Sequence, residues 1–413
     1  MCQVFYFQTI NSNCLKRLLL SIMKYIYYCI IPFLVFCVDL HAQQIISNSL
    51  VETENQKNSD IVKINQLWND YLMSSPDSLY NNPYWNCRDK EKYKSYDLLR
   101  SEGYLELYGL AKYGELKNLV LSIKPLNDDY YDIHSMYYWG HFSEYPYVLC
   151  TTHVLSFKDE NNNFVLGNWL DYYSKNWKSV TKGDITFHYQ TYKPNRGKIK
   201  KAIKFRSFLL DNFGVKLPHL DVYISDGFRE SQRLKGFGYD IGETAVFDTN
   251  DLGGTTDIDN YIIYSNATQG EFYQHEMMRF VLVKYKRTHH LLTDGLSEYY
   301  SENPKIIGIP IQTHFRDLDY YLDAHPEIDL RILDRFDSGN LTQKNYLIGL
   351  VIVNLIQKRC GYHKLLEALE TVHTDDELLK FIEKNMAIEE KDINSLIRAE
   401  VKHYANFGYS GKW

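Results

Sequence analysis

The chain has 413 residues, a formal net charge of −6 and 24 % charged side chains. That length carries two to three domains with real cores. With no basic excess, nucleic acid is a poor candidate partner.

The N-terminal stretch "MKYIYYCIIPFLVFCVDLHAQQ", from Met23, carries a Lys, then an apolar run Tyr25–Val38, then Leu40-His41-Ala42 before Gln43. This is the layout of a secretory signal peptide cleaved after Ala42. Residues 1–22 are then an upstream extension or a misassigned start, so 1–42 stand outside the mature fold. The competing reading is an uncleaved anchor, since Leu18–Val38 is about long enough to span a bilayer. Cys37 does not mark a lipoprotein, because Phe36 is too large for the small residue needed there. Cleavage leaves no stable membrane span and implies export to the periplasm, the envelope or the medium. It also leaves Cys87, Cys150 and Cys360, far apart and without a CxxC. They allow one disulfide and a free thiol, but no dense framework and no cysteine-ligated metal.

Residues 43–60 are polar and unpatterned and read as a linker. Residues 61–176 read as helices followed by an antiparallel sheet, an α+β unit of unassigned role. "IVKINQLWNDYLM" has apolar residues at helical spacing, and "YDLLRSEGYLELYGLAKYG" is a second helical segment. The strands are "LVLSIKPL", "YDIHSMYYW", "YVLCTTHVLSF" and "FVLGNWLDYY", with "KDENNN" as the loop between the last two.

From Trp177 the pattern changes to strand–helix–strand. "DITFHYQ" alternates, "GKIKKAIKFRSFLLDNFG" is an amphipathic helix stopped by Gly214, and "LDVYI" is a strand. "TAVF" and "NYIIYS" are further strands, and a helix is expected from Gly270 to about Lys286. "NYLIGLVIVNLIQKRCG" is apolar nearly all round and reads as a buried helix ended by Gly361. "TDDELLKFIEKN" opens in capping-box register through Thr374 and Glu377. "EEKDINSLIRAEVKHYAN" is the last amphipathic helix.

The chemistry-bearing stretch is "YQHEMMRFVL". His275 and Glu276 lie on a helix whose other positions are mostly apolar, and buried polar groups there need partners. Asp294 follows in "HHLLTDGLSEYYS". These segments resemble the gluzincin metallopeptidases, in particular the aminopeptidase-like peptidase MA group. That group has HExxH on one helix and a third ligand in a W-L-x-E-G-L-A-E-Y type segment on the next. "LLTDGLSEYY" matches the latter, and "NYLIGLVIVNLIQKRCGYHKLLEALE" resembles the buried helix that follows. The resemblance covers residues 177–413 and implies a mixed upper lobe and an α-helical C-terminal lobe. It makes His275 and Asp294 metal ligands, Glu276 the general base, and Tyr346 the match for an oxyanion-steadying tyrosine.

The pattern is broken twice. Asp294 replaces Glu, which only shortens a carboxylate arm. Arg279 replaces the second His, and a guanidinium has no acceptor lone pair and keeps its proton. At about 4 Å and an effective dielectric near 20, two unit charges repel by roughly 4 kcal/mol, and a divalent ion by roughly twice that. Arg279 is therefore expected to stand where the ion would be, its fork binding Asp294 and Glu276. His289 or His290 are candidate replacement ligands, against the plainer reading of a solvated loop. Glu298, four residues after Asp294, shares its helix face. For His275 and Glu276 the plainer reading is a satisfied polar pair left from an ancestral site. Ser297 has no nucleophile arrangement, and "GFGYDIG" and "LGGTTD" fit no phosphate-binding pattern.

The expectation is thus an exported, catalytically impaired pseudopeptidase that binds peptide or protein without a cofactor, with "NYIIYS" as an edge strand for strand addition. The alternatives are an active zinc peptidase with a non-standard ligand set and a structural envelope protein.

Overall fold

The computed structural model describes residues 45–47, 57–72, 83–93, 116–127, 129–139, 147–240, 253–302, 304–306, 309–331, 344–409 and 411. The signal region, the helical segment at 96–114 and the "TAVF" strand lie outside them.

The first unit contains β1 (Ile45–Ser47), α1 (Ser59–Leu72), α2 (Cys87–Lys92), β2 (Leu116–Pro125), β3 (Tyr130–Trp139), β4 (Tyr147–Lys158), β5 (Phe164–Gly167) and α3 (Trp169–Tyr173). The sheet runs β1-β2-β3-β4-β5, antiparallel except for the parallel β1–β2 pair. α1 lays Ile61, Ile64, Trp68 and Tyr71 onto Val120, Ile133 and Val154. Beneath it a polar line crosses the strands. Trp68 Nε1 donates to Asn118 Oδ1 at 3.2 Å, Asn118 Nδ2 donates to Ser135 Oγ at 3.2 Å, and Ser135 Oγ lies 3.0 Å from Thr152 Oγ1. Each buried polar group is thereby satisfied within the sheet. The loop "KDENNN" is a hairpin turn, as its composition predicts, with Asp159 Oδ1 accepting from the amides of Asn161 and Asn163.

Two expectations for this unit change. The segment read as a linker supplies β1, and α1 begins at Ser59 rather than Ile61. "FVLGNWLDYY" is a strand only to Gly167, after which Asn168 precedes the short helix α3.

The second unit contains β6 (Lys178–Lys182), β7 (Ile185–Tyr189), α4 (Arg196–Phe213), β8 (Leu220–Ser225), α5 (Phe228–Lys235), β9 (Phe237–Asp240), β10 (Thr255–Asp257), β11 (Ile262–Asn266) and α6 (Gln274–Leu282). It continues with α7 (His290–Tyr299), β12 (Lys305–Ile306), β13 (Ile309–Pro310), α8 (Ile311–Ala324), α9 (Lys344–Cys360), α10 (Tyr362–Thr371), α11 (Asp375–Met386) and α12 (Glu390–Phe407). The second sheet is mixed, in the order β10-β11-β8-β7-β6, with β7, β8 and β11 parallel and an antiparallel strand at each edge. The chain is therefore α+β, with a mainly antiparallel sheet first and a mixed sheet with a helical C-terminal part second.

The two units share structure. β9, far along the chain, pairs with β4 of the first sheet, and Tyr93 and Leu170 pack with Tyr223, Leu234, Ile262 and Tyr264 on one face of the second sheet. The other face is covered by α4 and α6. β11, which carries "NYIIYS", lies between β10 and β8, so it is an interior strand and the edge passes to β10.

α6 is shorter than its apolar pattern suggests. Gly270 has φ +68° and sits in a turn that Asn266 closes by accepting from the amides of Thr268 and Gln269. Past Leu282 the backbone changes to three-residue turns, with Lys284 N on Val281 O and Tyr285 N on Leu282 O, each at 3.0 Å. α9 is buried on every side, as expected, and α11 has the Thr374/Glu377 capping box. Among the described residues no helix is long and apolar enough to cross a membrane, and Cys87, Cys150 and Cys360 are free thiols.

α7 and α9 meet backbone to backbone. A Cβ on Gly295 would stand inside the carbonyl group of Gly349, and one on Gly349 inside the carbonyl oxygen of Leu291. Neither contact involves a flexible side chain that could give way. Gly295→Ala and Gly349→Ala should each cost about 1–3 kcal/mol through overpacking. Urea unfolding is the check, with Tyr320→Ala at an exposed site as a control expected within about 0.5 kcal/mol of the parent.

Candidate functional site

The site forms where α6, α7, α9 and the edge strand β10 converge. The start of α6 is pinned by Gln274, whose Nε2 donates to Tyr300 O at 2.7 Å and whose Oε1 accepts from Glu302 N at 2.8 Å. Just before it, Tyr273 Oη accepts from Gly254 N at 3.0 Å. A side chain at Gly253 or Gly254 would collide with the Tyr273 ring. The "LGGTTD" stretch is thus glycine-rich because an aromatic ring packs on its backbone.

His275 points across to α7. Its Nδ1 lies 2.9 Å from Glu298 Oε1, and its Nε2 lies 4.0 Å from Glu276 Oε1. Glu276 is held from two sides. Thr256 Oγ1 of β10 donates to Glu276 Oε2 at 2.6 Å, and Arg279 Nε lies 3.6 Å from the same oxygen. Both glutamates are 3 % exposed, whereas the Arg279 side chain keeps 43 % of its surface open. The rings of Tyr346 and Tyr273 flank His275 at centroid distances of 6.0 and 6.4 Å.

The charges rearrange one another's protonation. Burial works against the imidazolium of His275. It is outweighed by the hydrogen bond and charge of Glu298 and by the charge of Glu276, so His275 titrates above the usual histidine range. Glu276 raises Arg279 against the opposing effect of burial, which fixes a permanent cation in the site. Burial raises Asp294, with His290, His275 and Arg279 pulling the other way. Burial and the charge of Asp294 raise the Tyr346 phenol.

The residues read from sequence separate into two groups. His275, Glu276, Arg279, Glu298 and Tyr346 come together. Asp294 sits one turn before Glu298 and influences the cluster by charge, while Glu298 holds the imidazole. The expected fork from Arg279 to Asp294 is not formed; Arg279 bonds Glu276, the nearer carboxylate on its own helix face. His289 is no ligand, because its Nε2 lies 2.6 Å from Asp375 Oδ1 and its Nδ1 caps α7 by accepting from Leu291 N. His290 stacks on His289 at 4.5 Å. Sequence reasoning missed Thr256 and Tyr273. The double glycine ahead of a short β-rich run was the available signal for both.

A zinc-type arrangement fits this donor set poorly. Two donor residues face each other, and a guanidinium holds the position where the second imidazole would stand. Among the described residues no group of three or more His, Cys, Asp and Glu is arranged to hold a metal ion. No protein-family model matches the chain, and comparison with curated proteins gives no match.

Raised His275 has a stability consequence with a definite sign. The favourable contribution is complete below the unfolded-state value of roughly 6.5 and is lost as pH rises through the higher folded-state value. Glu298→Gln should lower the His275 titration midpoint followed by NMR. The stability gap between parent and variant should be widest on the acid side and narrow as pH rises through the parent's His275 midpoint.

Proposed function

We propose that this is an exported, gluzincin-like pseudopeptidase that binds an extended peptide or protein segment in the cleft over α6 without cleaving it. The observation that carries the reading is Arg279, whose Nε stands 3.6 Å from Glu276 Oε2. In a working zinc peptidase that carboxylate takes a proton from metal-bound water. Here it is saturated by a hydroxyl from β10 and a fixed cation. His275, which would give a lone pair to the metal, is engaged with Glu298 and favours its charged form.

The surroundings suit binding. β10 is a short edge strand antiparallel to β11, and its Thr256 touches the site directly. An edge strand offers unpaired backbone groups to an extended chain, and side-chain pockets beside it give selectivity. Tyr273 and Tyr346 place aromatic surface beside His275, the kind of surface that anchors a bound segment. The resemblance of "LLTDGLSEYY" and of the buried α9 to the peptidase MA group supports the same assignment. On this reading no cofactor is required.

A peptide library incubated with the full chain is the test. Cleavage should stay at background in both the parent and Glu276→Gln, while a subset of peptides is retained on immobilised protein. Retention should fall on Thr256→Pro, which disturbs the edge strand. Turnover by the parent that disappears in Glu276→Gln would overturn the proposal in favour of an active peptidase. Absence of any retained peptide would favour a scaffold role.

A further inference from the structure

The first sheet carries a second cluster of titratable side chains that the α6 site does not use. His134 of β3 and His153 of β4 are directly opposite in register. The amide of His153 points the other way, donating to Gly236 O at 2.7 Å. The pair is therefore of the non-hydrogen-bonded kind, in which opposed side chains approach most closely. Their rings stack at 4.3 Å with an interplanar angle of 4°. Asp132, two residues before His134 and on the same face, holds His153 Nδ1 at 2.9 and 3.0 Å through its two oxygens.

We propose that His134 and His153 form a binding site for a borderline divalent cation of the zinc, nickel and copper group, with Asp132 as the positioning carboxylate. An imidazole whose Nδ1–H is given to a carboxylate presents its lone pair at Nε2, the arrangement seen at most histidine metal ligands. His153 is so arranged. Its Nε2 and both nitrogens of His134 make no hydrogen bond among the described residues. Gly238 of β9 keeps the approach open, since a Cβ there would come 3.3 Å from His153 Nε2 and 2.7 Å from Thr151 Oγ1. The His153 side chain is 25 % exposed, so solvent and ions reach it. The parallel rings do not yet converge. His134 turns about its side-chain bonds to meet the ion, and no hydrogen bond holds it back. Two imidazoles leave the remaining positions to water, which suits metals that take nitrogen donors.

Trp169 lies 5.1 Å from His153 and supplies a reporter. The full chain is titrated with NiCl2 at pH about 7.5, above the ordinary histidine value of roughly 6.5. Saturable fluorescence quenching at one equivalent is expected. Asp132→Asn should weaken it about 10–100-fold. His134→Gln and His153→Gln should weaken it further, and His275→Gln should leave it unchanged. Lack of saturable binding, or unchanged affinity in both sheet-histidine variants, overturns the proposal. Should a variant fail to fold, copper EPR of the unmodified chain decides. Two imidazole nitrogens at substoichiometric Cu2+ support the site, and fewer overturn it.

Discussion

The backbone contact between Gly295 and Gly349 fixes the geometry on which the site depends. With no side chain at either position, α7 comes against α9 at a separation no larger residue permits. Glu298 follows Gly295 by one helical turn, and Tyr346 precedes Gly349 by about one turn. The crossing therefore sets a carboxylate and a phenol near His275 at once. Gln274, anchored to Tyr300 and Glu302, sets α6 against the end of α7 from the other direction. The distance of 2.9 Å between His275 and Glu298 results from these two constraints.

Electrostatics then decides what the site can do. Two carboxylates with 3 % exposure need compensation, because an unpaired buried charge is costly. His275 and Arg279 provide it from the same helix as Glu276. Compensation by a permanent cation differs from compensation by a metal. A guanidinium carries no exchangeable water and polarises no carbonyl, so it stabilises the cleft without supplying hydrolytic chemistry. The partly open Arg279 side chain and the edge strand β10 remain available to a ligand.

Much of this was legible in residue pattern. The parallel strand–helix–strand of β7, α4 and β8, the buried α9 and the capping box of α11 all follow from spacing and composition. So does the pairing of a helix carrying His275 and Glu276 with one carrying Glu298. Less legible was which carboxylate meets the imidazole. Asp294 and Glu298 share one face of α7, and only the three-dimensional crossing selects between them. Pairing across sheets was equally hidden. β9 returns to β4 from beyond the second unit's first helix, and β11 is capped by β10, so an apolar run that looked like an edge is interior. Thr256 and Tyr273 reach the site through such long-range pairing, which local periodicity does not encode.

The account rests on Arg279 excluding a metal that its neighbours would otherwise hold. Isothermal titration of the full chain with zinc, parent against Arg279→His, addresses this directly. The account predicts no tight zinc binding by the parent and a gain on restoring the second imidazole. That gain should depend on His275 and Glu298. Tight binding of one zinc by the parent, abolished by His275→Gln, would contradict it.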